Sequence, residues 1–316
     1  MTRSSVDHSI GKAMHHFKWD NSLPPAVEIE TGDVVHFETE EVTAGQLKKG
    51  DPASKLAMLD FDLLYPLGGP VFVKGAKPGD ILEVEILQLR PGDWGWAAIL
   101  PGLGLLSDDF TEPYVRYFEL GSRKTAELRK DIQIPISPFC GTMGVATDEP
   151  GPHDVLPPTK GAGNIDTRHL TAGTKLYLPV YVPGALFSAG DCHGAQGDGE
   201  VCVTGIECPM TFSLRFNVLN GESLRPWSYH FKTPAGPMQA RSDSAGYHAV
   251  CALGPDLMEN AKNAVRDTIA WLVADHGLSP QDAYILCSLA GDLKISQIVD
   301  RPNFGVSFYL SLGVFA

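Results

Sequence analysis

Apolar and polar residues alternate along many short stretches of the chain. Within residues 81–87, Glu83 and Glu85 share one face while Leu82 and Val84 share the other, which is the period of a half-buried strand. Glycine and proline separate the stretches of this kind. The predicted strands are residues 34–37, 71–73, 81–89, 132–136, 175–182, 200–207, 212–218, 293–299 and 305–310. The pattern predicts a mainly β protein of many short strands with sandwich or barrel-like packing.

Two helices are predicted near the C-terminus, where the apolar residues take up helical spacing. The first covers residues 255–276, with a proline in its first turn and Gly277 as its stop signal. The second begins after Ser279, an N-cap residue followed by proline, and ends before Gly291. Many strands followed by two helices make the chain α+β overall.

The composition is that of a folded chain with room for a large core. Its 316 residues are 43% hydrophobic and 20% charged, a balance typical of globular proteins. We expect a single unit over residues 1–316. Two tightly packed β-rich subdomains are a finer division, with a boundary near residues 140–165, because residues 141–163 are rich in glycine, proline and polar residues.

The charge balance argues against nucleic acids and anionic membranes as partners of the protein. The chain carries 25 Lys and Arg residues against 38 Asp and Glu residues, a formal net charge of −13, whereas nucleic acids and anionic membranes need a basic surface. No apolar run approaches the roughly 20 residues of a membrane span, and residues 1–19 lack the apolar core of a signal peptide. The six cysteines are sparse and are interpreted as reduced and mostly buried, as in a cytoplasmic protein.

The densest polar segment covers residues 190–200 and reads Gly-Asp-Cys-His-Gly-Ala-Gln-Gly-Asp-Gly-Glu. Its four glycines let the backbone turn tightly and approach a ligand closely. If this segment begins as a strand, Asp191 and His193 point to one side and Cys192 to the other. A carboxylate and an imidazole on one face can chelate a metal such as zinc. The bland alternative is a glycine-rich hairpin whose acids only cap turns.

Two further polar groups and one aromatic pair are weaker candidates. Asn164 and Asp166 repeat the same i, i+2 relation, although an Asx-turn loop at the surface has this pattern as well. Residues 15–20 have the composition of a mobile N-terminal arm. Trp94 and Trp96 could wall a pocket or belong to ordinary core. The motifs GxSxG, HExxH and the phosphate loop are missing, so hydrolysis would rest on a metal or on carboxylates.

A set of segments then matches a known family. They are residues 16–20 with Pro24 and Pro25, 69–80, 138–146, 163–166, 183–186 and 190–200. Together they resemble the acetamidase/formamidase family of bacterial and fungal amide hydrolases, from about His15 to the C-terminus. The motif Gly-Asp-x-His-x-x-Gln-Gly-Asp-Gly-Glu is the most specific of the set. Two departures are apolar: Ile165 stands where members often have methionine, and Cys192 where they often have an aliphatic residue.

The resemblance implies a β-rich fold, a homo-oligomer of two or more copies, and hydrolysis of small linear amides to a carboxylate and ammonia. It also implies a divalent metal, with zinc ahead of calcium. Some relatives look like lactamases that act on cyclic amides. The partner is then a small-molecule amide, with neither a nucleic acid nor a membrane as a partner.

The expected metal site combines the two best candidate segments. Asp191 and His193 would hold the metal, and Asp166 or His16 would complete the site. Such a metal would polarise the amide carbonyl and lower the pKa of bound water toward about 7. In this hypothesis the metal activates both the amide carbonyl and the attacking water.

The expected proton transfers fall to carboxylates near the metal. Glu200 would take the proton of the attacking water and return it to the leaving ammonia, and Glu207 is the alternative base or a further ligand. The expected substrate contacts are Asn164 and Gln196 for the amide group and Trp94 or Trp96 as an apolar wall, which would reject long acyl groups by size.

Three alternatives remain open from the sequence. The first is a lactamase of the same family, and the second is a metal-independent hydrolase in which Asp198 and Glu200 act as a carboxylate pair, for example on a glycosidic bond. The third is a β-sandwich binding module in which the glycine-rich segment holds a structural calcium. Formamide, acetamide, a longer amide and a lactam all fit the residues as substrates.

Overall fold

The computed structural model describes residues 6–220, 229–236 and 245–315. Two six-stranded sheets dominate these residues, and strands are numbered here in chain order. The first sheet runs from edge to edge through β1 (His8–Ile10), β4 (Val34–Thr39), β15 (Met210–Leu219), β6 (Ile81–Pro91), β13 (Lys175–Pro179) and β16 (His230–Lys232). All its pairs are antiparallel except that of β1 with β4.

The second sheet carries the strands that matter for the site. It runs through β12 (Ala162–Asn164), β11 (Phe139–Val145), β14 (Phe187–His193), β5 (Leu67–Val73) and β2 (His15–His16), and β3 (Val27–Ile29) pairs with β5. The two central strands β11 and β14 are buried along their whole length. Because β5 pairs with β14, strands from both sides of residues 140–165 share this sheet. The division into subdomains stays a prediction.

The two sheets pack face to face as a β-sandwich. The ring of Phe37 on β4 stacks on Phe212 of β15 at 4.8 Å, and Phe187 of β14 meets Phe37 and Phe216 edge-on at 6.5 and 5.1 Å. These four side chains are fully buried. The alternation that predicted the strands supplies this interface, because every second residue of a strand faces the opposite sheet.

Three smaller groups of strands complete the β structure. The strand β7 (Trp94–Ile99) pairs with β8 (Tyr114–Glu119), β9 (Thr125–Arg129) pairs with β10 (Ile132–Pro135), and β19 (Phe304–Ser311) lies between β17 (Tyr247–Gly254) and β18 (Gly291–Gln297). Short 3-10 helices cover Ala53–Met58, Phe61–Leu63 and Leu312–Val314.

The two predicted C-terminal helices are present, with α1 at Leu257–His276 and α2 at Pro280–Ala290. The N-cap of α1 is Asp256, whose side chain accepts two backbone N–H groups, and Gly277 ends the helix with a φ of 61°, as an αL stop requires. Ser279 caps α2 by accepting the N–H of Asp282. The mainly β, sandwich-like fold with two C-terminal helices is therefore confirmed.

One predicted strand is wrong. Residues 200–207 form turns and not a strand, because Glu200 and Val203 have φ values of 42° and 79°, which lie outside extended backbone. Only Glu207 keeps a strand-like contact, as isolated bridges to Trp96 and His193. The alternation in this segment is therefore accidental.

Two expectations about the whole chain meet the structure here. Among the described residues, we find no helix with the length and apolarity that a membrane crossing needs. All six cysteines are free, five of them are buried, and Cys251 is exposed, in agreement with the interpretation of mostly buried thiols.

Candidate active site

The floor of the site is the paired end of β11 and β14. Asp191 and His193 share one face of β14, with 3.5 Å between the Asp191 Oδ1 and His193 Nε2 atoms. Cys192 points the other way, where its Sγ lies 3.7 Å from Cys140 Sγ and 3.5 Å from Thr39 Oγ1. The alternation of strand side chains therefore places the two polar groups together and sends the thiol into the core.

Gly141 of β11 makes room for a third carboxylate. Its carbonyl accepts the backbone N–H of Asp166 at 3.1 Å, which draws that residue over the strand. A Cβ atom at position 141 would lie 2.5 Å from Asp166 Oδ1 and 3.0 Å from Asp191 Oδ2. Only glycine therefore lets the two carboxylates meet at this point. Thr142 Oγ1 lies 3.2 Å from Asp191 Oδ2 and 2.8 Å from Asn164 Oδ1, so its one hydrogen is shared between the two oxygens.

Gln196 fixes the orientation of the imidazole. Its Nε2 donates to the carbonyl of Asp166 at 2.9 Å, so its Oε1 is the atom that faces His193 Nδ1 at 2.7 Å. Because an amide oxygen can only accept, Nδ1 of His193 must carry the hydrogen. In the neutral ring this leaves a lone pair on Nε2, the atom that faces the carboxylates.

Two glutamates from the turn segment complete the cluster. Glu207 Oε1 accepts the N–H of Gly205 at 3.0 Å, and its Oε2 lies 3.1 Å from His193 Nε2. The backbone of Glu207 is fixed by a pair of hydrogen bonds with Trp96, at 2.7 and 3.0 Å. Glu200 is half-buried beside Asp166.

Three of these acidic residues have an unfavourable backbone conformation. Asp166, Asp191 and Glu200 have φ values of 40°, 50° and 42°. The left-handed region costs a residue with a side chain roughly 1–3 kcal/mol, and such strain clusters at functional sites. The fold therefore keeps the acids in these positions at the expense of stability.

The electrostatics of the cluster are those of acids forced together out of water. Burial, reinforced by Asp191, raises the pKa of Asp166 to about 7. Burial likewise raises the pKa of Glu207 to about 7 against the opposing charge of His193, and with Asp166 it holds the pKa of Glu200 well above its usual range. Burial alone would lower the pKa of His193, but the adjacent Glu207 and Asp191 outweigh it and raise that pKa.

The donor set fits a divalent metal. Ligand atoms of Asp166, Asp191 and His193 lie within 4.8 Å of one another, as do those of His193, Glu200 and Glu207. Asp166 Oδ1 and Glu207 Oε2 are buried without a hydrogen-bond partner among the described residues. Nε2 of His193 lies beside carboxylate oxygens of Glu207 and Asp191, where a proton on Nε2 or a bound cation balances their charge, so these atoms together are suited to a cation.

Comparison with known proteins gives the family. The model of the acetamidase/formamidase family matches residues 4–153 and 150–316. The chain belongs to this family. It is an amidohydrolase, an enzyme that hydrolyses carbon–nitrogen bonds.

Individual relatives agree with this assignment. The chain is similar to an acetamidase of Mycolicibacterium smegmatis, with 29% identity over 69% of this chain and 70% of the relative. Among solved structures, an acetamidase from Bacillus halodurans has 31% identity and a TM-score of 0.68, over 96% of this chain and 97% of that one. A gamma lactamase from Delftia acidovorans has a TM-score of 0.88 over 96% and 90% of the two chains, and at 24% identity this likeness shows a shared fold alone.

The C-terminal helix of the amidohydrolase holds the turn segment in place. The carbonyl of Ser288 on α2 accepts the N–H of Gly197 at 2.8 Å. The Ser288 hydroxyl accepts the N–H of Cys202 at 3.2 Å and donates to the carbonyl of Thr204 at 2.8 Å. A fully buried serine, 84 residues beyond Thr204 in the chain, thus sets the path of the segment that carries Glu200 and Glu207.

Asp198 has a role in this support and lies outside the cluster. Its Oδ1 accepts from Arg168 Nε at 2.9 Å, and its backbone N–H donates to Asp292 Oδ1 at 3.0 Å. Asp292 in turn accepts from Arg168 Nη2 at 3.2 Å. The structure therefore does not bring Asp198 and Glu200 together as a catalytic pair, because the guanidinium holds Asp198 on the side of β18.

The other predicted site residues are engaged with neighbouring residues. His16 has one ring nitrogen 2.8 Å from Ser188 Oγ and the other 2.8 Å from the Lys18 carbonyl, so it is not among the grouped ligands. Asn164 Oδ1 accepts from Thr142 at 2.8 Å. Trp96 is buried core whose Nε1 donates to Glu41 at 3.0 Å, and Trp94 is half-buried against Tyr117.

Two residues at the site were missed in the sequence. Thr142 supports Asp191 and lies in a segment that matches the family. Tyr65 is half-buried and has a φ of 60°; burial, with Asp191 and Glu207 nearby, raises the pKa of its hydroxyl. Its position before Pro66 and a glycine pair indicates an unusual turn, but no local pattern indicates that this turn reaches the acids.

Proposed function

We propose that this amidohydrolase cleaves small linear carboxamides of the acetamide or formamide type, with water activated at a metal held by Asp166, Asp191 and His193. The observation that carries the proposal is the oriented Nε2 of His193, which lies 3.1 Å from Glu207 Oε2, in a cluster where Glu207 Oε2 and Asp166 Oδ1 are buried without a hydrogen-bond partner among the described residues. A product carboxylate and ammonia would leave the site.

The donor chemistry favours zinc over calcium. An imidazole nitrogen with carboxylate oxygens is an ordinary zinc set, whereas calcium prefers an all-oxygen set of six to eight ligands. When bound, the metal would polarise the carbonyl oxygen of the amide and lower the pKa of water. Gln196 would hold His193 in the ligating tautomer, a support that metal-bound histidines commonly have.

Glu200 is the proposed general base. It is half-buried and therefore open to substrate, whereas one oxygen of Glu207 is held by the Gly205 N–H and the other faces His193. Glu200 would take a proton from water as its oxygen bonds to the carbonyl carbon. It would return that proton to nitrogen as the carbon–nitrogen bond breaks. Glu207 would serve as a further ligand.

Substrate selection is proposed to depend on the space that the side chains near the acids leave for the acyl group. The half-buried Trp94 would limit the length of the acyl group, and Asn164, at the end of β12, would contact the amide group. One methylene more or less in such a space changes binding by about 1–3 kcal/mol. Short amides are therefore the proposed substrates, with Trp94 beside the acyl group and Asn164 beside the amide group.

Ammonia release tests the proposal directly. We would measure it from formamide, acetamide, propionamide and a γ-lactam, before and after extensive chelation and after addition of zinc. The proposal expects release from the short linear amides that stops on chelation and returns with zinc. Release that survives chelation would move the chemistry to the carboxylates alone, and preference for the lactam would identify the lactamase alternative.

Variants separate the proposed roles. His193→Ala should lose bound metal and lower kcat/KM by roughly 10³-fold or more, because several kcal/mol of metal catalysis are removed. Glu200→Gln should keep the metal and lose kcat, whereas Glu207→Gln should weaken metal binding. Full activity in His193→Ala would contradict the metal assignment. Loss of metal in Glu200→Gln would make Glu200 the further ligand and Glu207 the general base.

Two broader expectations remain proposals. A homo-oligomer of two or more copies would be tested by light scattering on the purified enzyme. A cytoplasmic location is supported by six free cysteines, five of them buried, as expected in a reducing compartment, and fractionation of cells would test it.

A further inference from the structure

Tyr65 lies two residues before β5, the strand that pairs with β14 beside the aspartate of the site. The backbone N–H of Tyr65 donates to the carbonyl of Val42 at 2.8 Å, and its φ of 60° turns the chain sharply. The next two residues, Pro66 and Leu67, lie against β14. A Cβ at Gly190 would be 2.6 Å from the Pro66 carbonyl and 3.0 Å from Leu67. Tyr65 is thus held over the strand at the position that precedes Asp191.

The ring of Tyr65 is fixed by apolar contacts on two sides. It packs against the small cluster of Trp19, Leu67 and Val155, and also against the separate cluster that includes Trp96. Among the partly buried residues of these clusters, Tyr65 is the one that contacts both. The ring therefore has little freedom to swing its hydroxyl away from the site.

The hydroxyl of Tyr65 has no hydrogen-bond partner within residues 6–220, 229–236 and 245–315. Tyr65 is half-buried and its hydroxyl is not among the buried unpartnered atoms, so this hydroxyl is open to a bound molecule. The ring lies between Trp19, which contacts Gly163 at the end of β12, and the cluster of Trp96, whose backbone pairs with that of Glu207. These contacts on two sides place Tyr65 beside the acids, in line with the pKa of its hydroxyl, which burial and then Asp191 raise.

We infer that Tyr65 donates a hydrogen bond to the carbonyl oxygen of the amide and stabilises the negative charge that grows there during attack. This inference rests on the proposed function. A phenol keeps its proton at neutral pH because it titrates near 10, and ionised carboxylates can only accept. The Nε2 of Gln196 and the Nε1 of Trp96 already donate to protein oxygens, so Tyr65 supplies the donor that the acids cannot.

No proton transfer by Tyr65 is required. The hydroxyl keeps its hydrogen throughout, while the water oxygen bonds to carbon and the carbon–nitrogen bond breaks at the acids. A donor aimed at a developing oxyanion acts more strongly on the transition state than on the planar amide. The expected signature is therefore a loss in kcat with little change in KM.

Tyr65→Phe in the full-length, metal-loaded enzyme tests the inference. We expect kcat for acetamide to fall by roughly 10²-fold or more, as when one oxyanion donor is removed, with KM and metal content unchanged. The melting temperature should stay the same, because no described residue bonds to the hydroxyl. Tyr181→Phe is the matched control: its half-buried hydroxyl donates to the Lys160 carbonyl at 3.2 Å, and kcat should not change.

A second measurement distinguishes transition-state binding from packing. Methylboronic acid takes up hydroxide from water, whose proton passes to the base or to solvent, and becomes a tetrahedral anion. Tyr65→Phe should weaken the binding of this anion by about the factor lost in kcat. Unchanged kcat in Tyr65→Phe, or loss of metal and melting temperature along with kcat, would overturn the inference while the amidase activity of the wild type stands. A wild-type enzyme that releases no ammonia from any amide would overturn the proposed function and this inference together.

Discussion

The two halves of the site are built in different ways. Asp191 and His193 lie on β14, in the middle of a buried sheet, and share one face of it, with Asp191 in a left-handed conformation. Glu200 and Glu207 lie in a turn segment whose path is set by α2 and β18, about 90 residues further along the chain. We call these the strand half and the turn half of the site.

The difference shows how each half keeps its precision. The strand half is held by the hydrogen bonds between β11 and β14 and by Gly141, where there is no room for a side chain. Small substitutions in these strands therefore displace the metal ligands directly. The turn half depends on a few side-chain hydrogen bonds from one buried serine and one buried aspartate. Damage to these contacts should first cost stability and kcat, and only later metal binding.

The strongest expected effect breaks the strand half. Gly141→Ala would place a Cβ 2.5 Å from Asp166 Oδ1 and force the carboxylates apart. We expect metal content to fall and kcat/KM to drop by roughly 10²-fold or more, as displacements near 1 Å do. The control is Gly11→Ala, where a Cβ would meet no atom within 4 Å. Normal metal content in Gly141→Ala would show that Asp166 is not a ligand.

A smaller effect should follow from loosening the imidazole without moving the strand. Gln196→Met removes the acceptor for His193 Nδ1–H, so the ring is free to change tautomer. We expect metal affinity to fall about 10–100-fold, the usual cost of losing a supporting hydrogen bond to a ligand, as measured by competition with a chelator. Gln88→Met, at an exposed position of β6, is the control. Unchanged affinity would mean that strand geometry alone orients the ring.

The turn half is tested through its support. Ser288→Ala leaves the N–H of Cys202 and one bond of the Thr204 carbonyl unsatisfied in the interior. We expect the free energy of unfolding to fall by about 2–3 kcal/mol and kcat to fall, while metal content is retained because the strand half is intact. Urea unfolding and metal analysis check this, with exposed Ser22→Ala as control. Loss of metal at unchanged stability would remove the distinction between the halves.

The smallest expected effect is a pH dependence of the free energy of unfolding caused by His16, on the strand β2. Burial lowers the pKa of His16 to about 4, below the value near 6.5 of an unfolded histidine. The unfolded chain therefore binds a proton that the folded chain refuses, and stability should fall as pH drops from 6.5 to 4. His16→Gln should flatten this fall between pH 6.5 and 4, measured by urea unfolding across the window. The exposed neighbour variant His15→Gln should keep it, and equal slopes in both would contradict the assignment.

The sequence by itself determined the sandwich, the two capped helices and the family. Its alternation also determined that Asp191 and His193 share a face while Cys192 does not. These properties are local, because the period of a strand or helix fixes side-chain direction over a few residues. The same local period failed at residues 200–207, where it predicted a strand in place of turns.

Only the tertiary structure decided which acids meet. In the structure Asp198 bonds to Arg168, Glu200 and Glu207 lie beside His193, and Gln196 orients the imidazole of His193. The tertiary structure also placed Tyr65 over β14. The physical reason is that left-handed turns and hydrogen bonds between residues far apart in the chain set these positions, and their energies depend on neighbours that no short stretch of sequence contains.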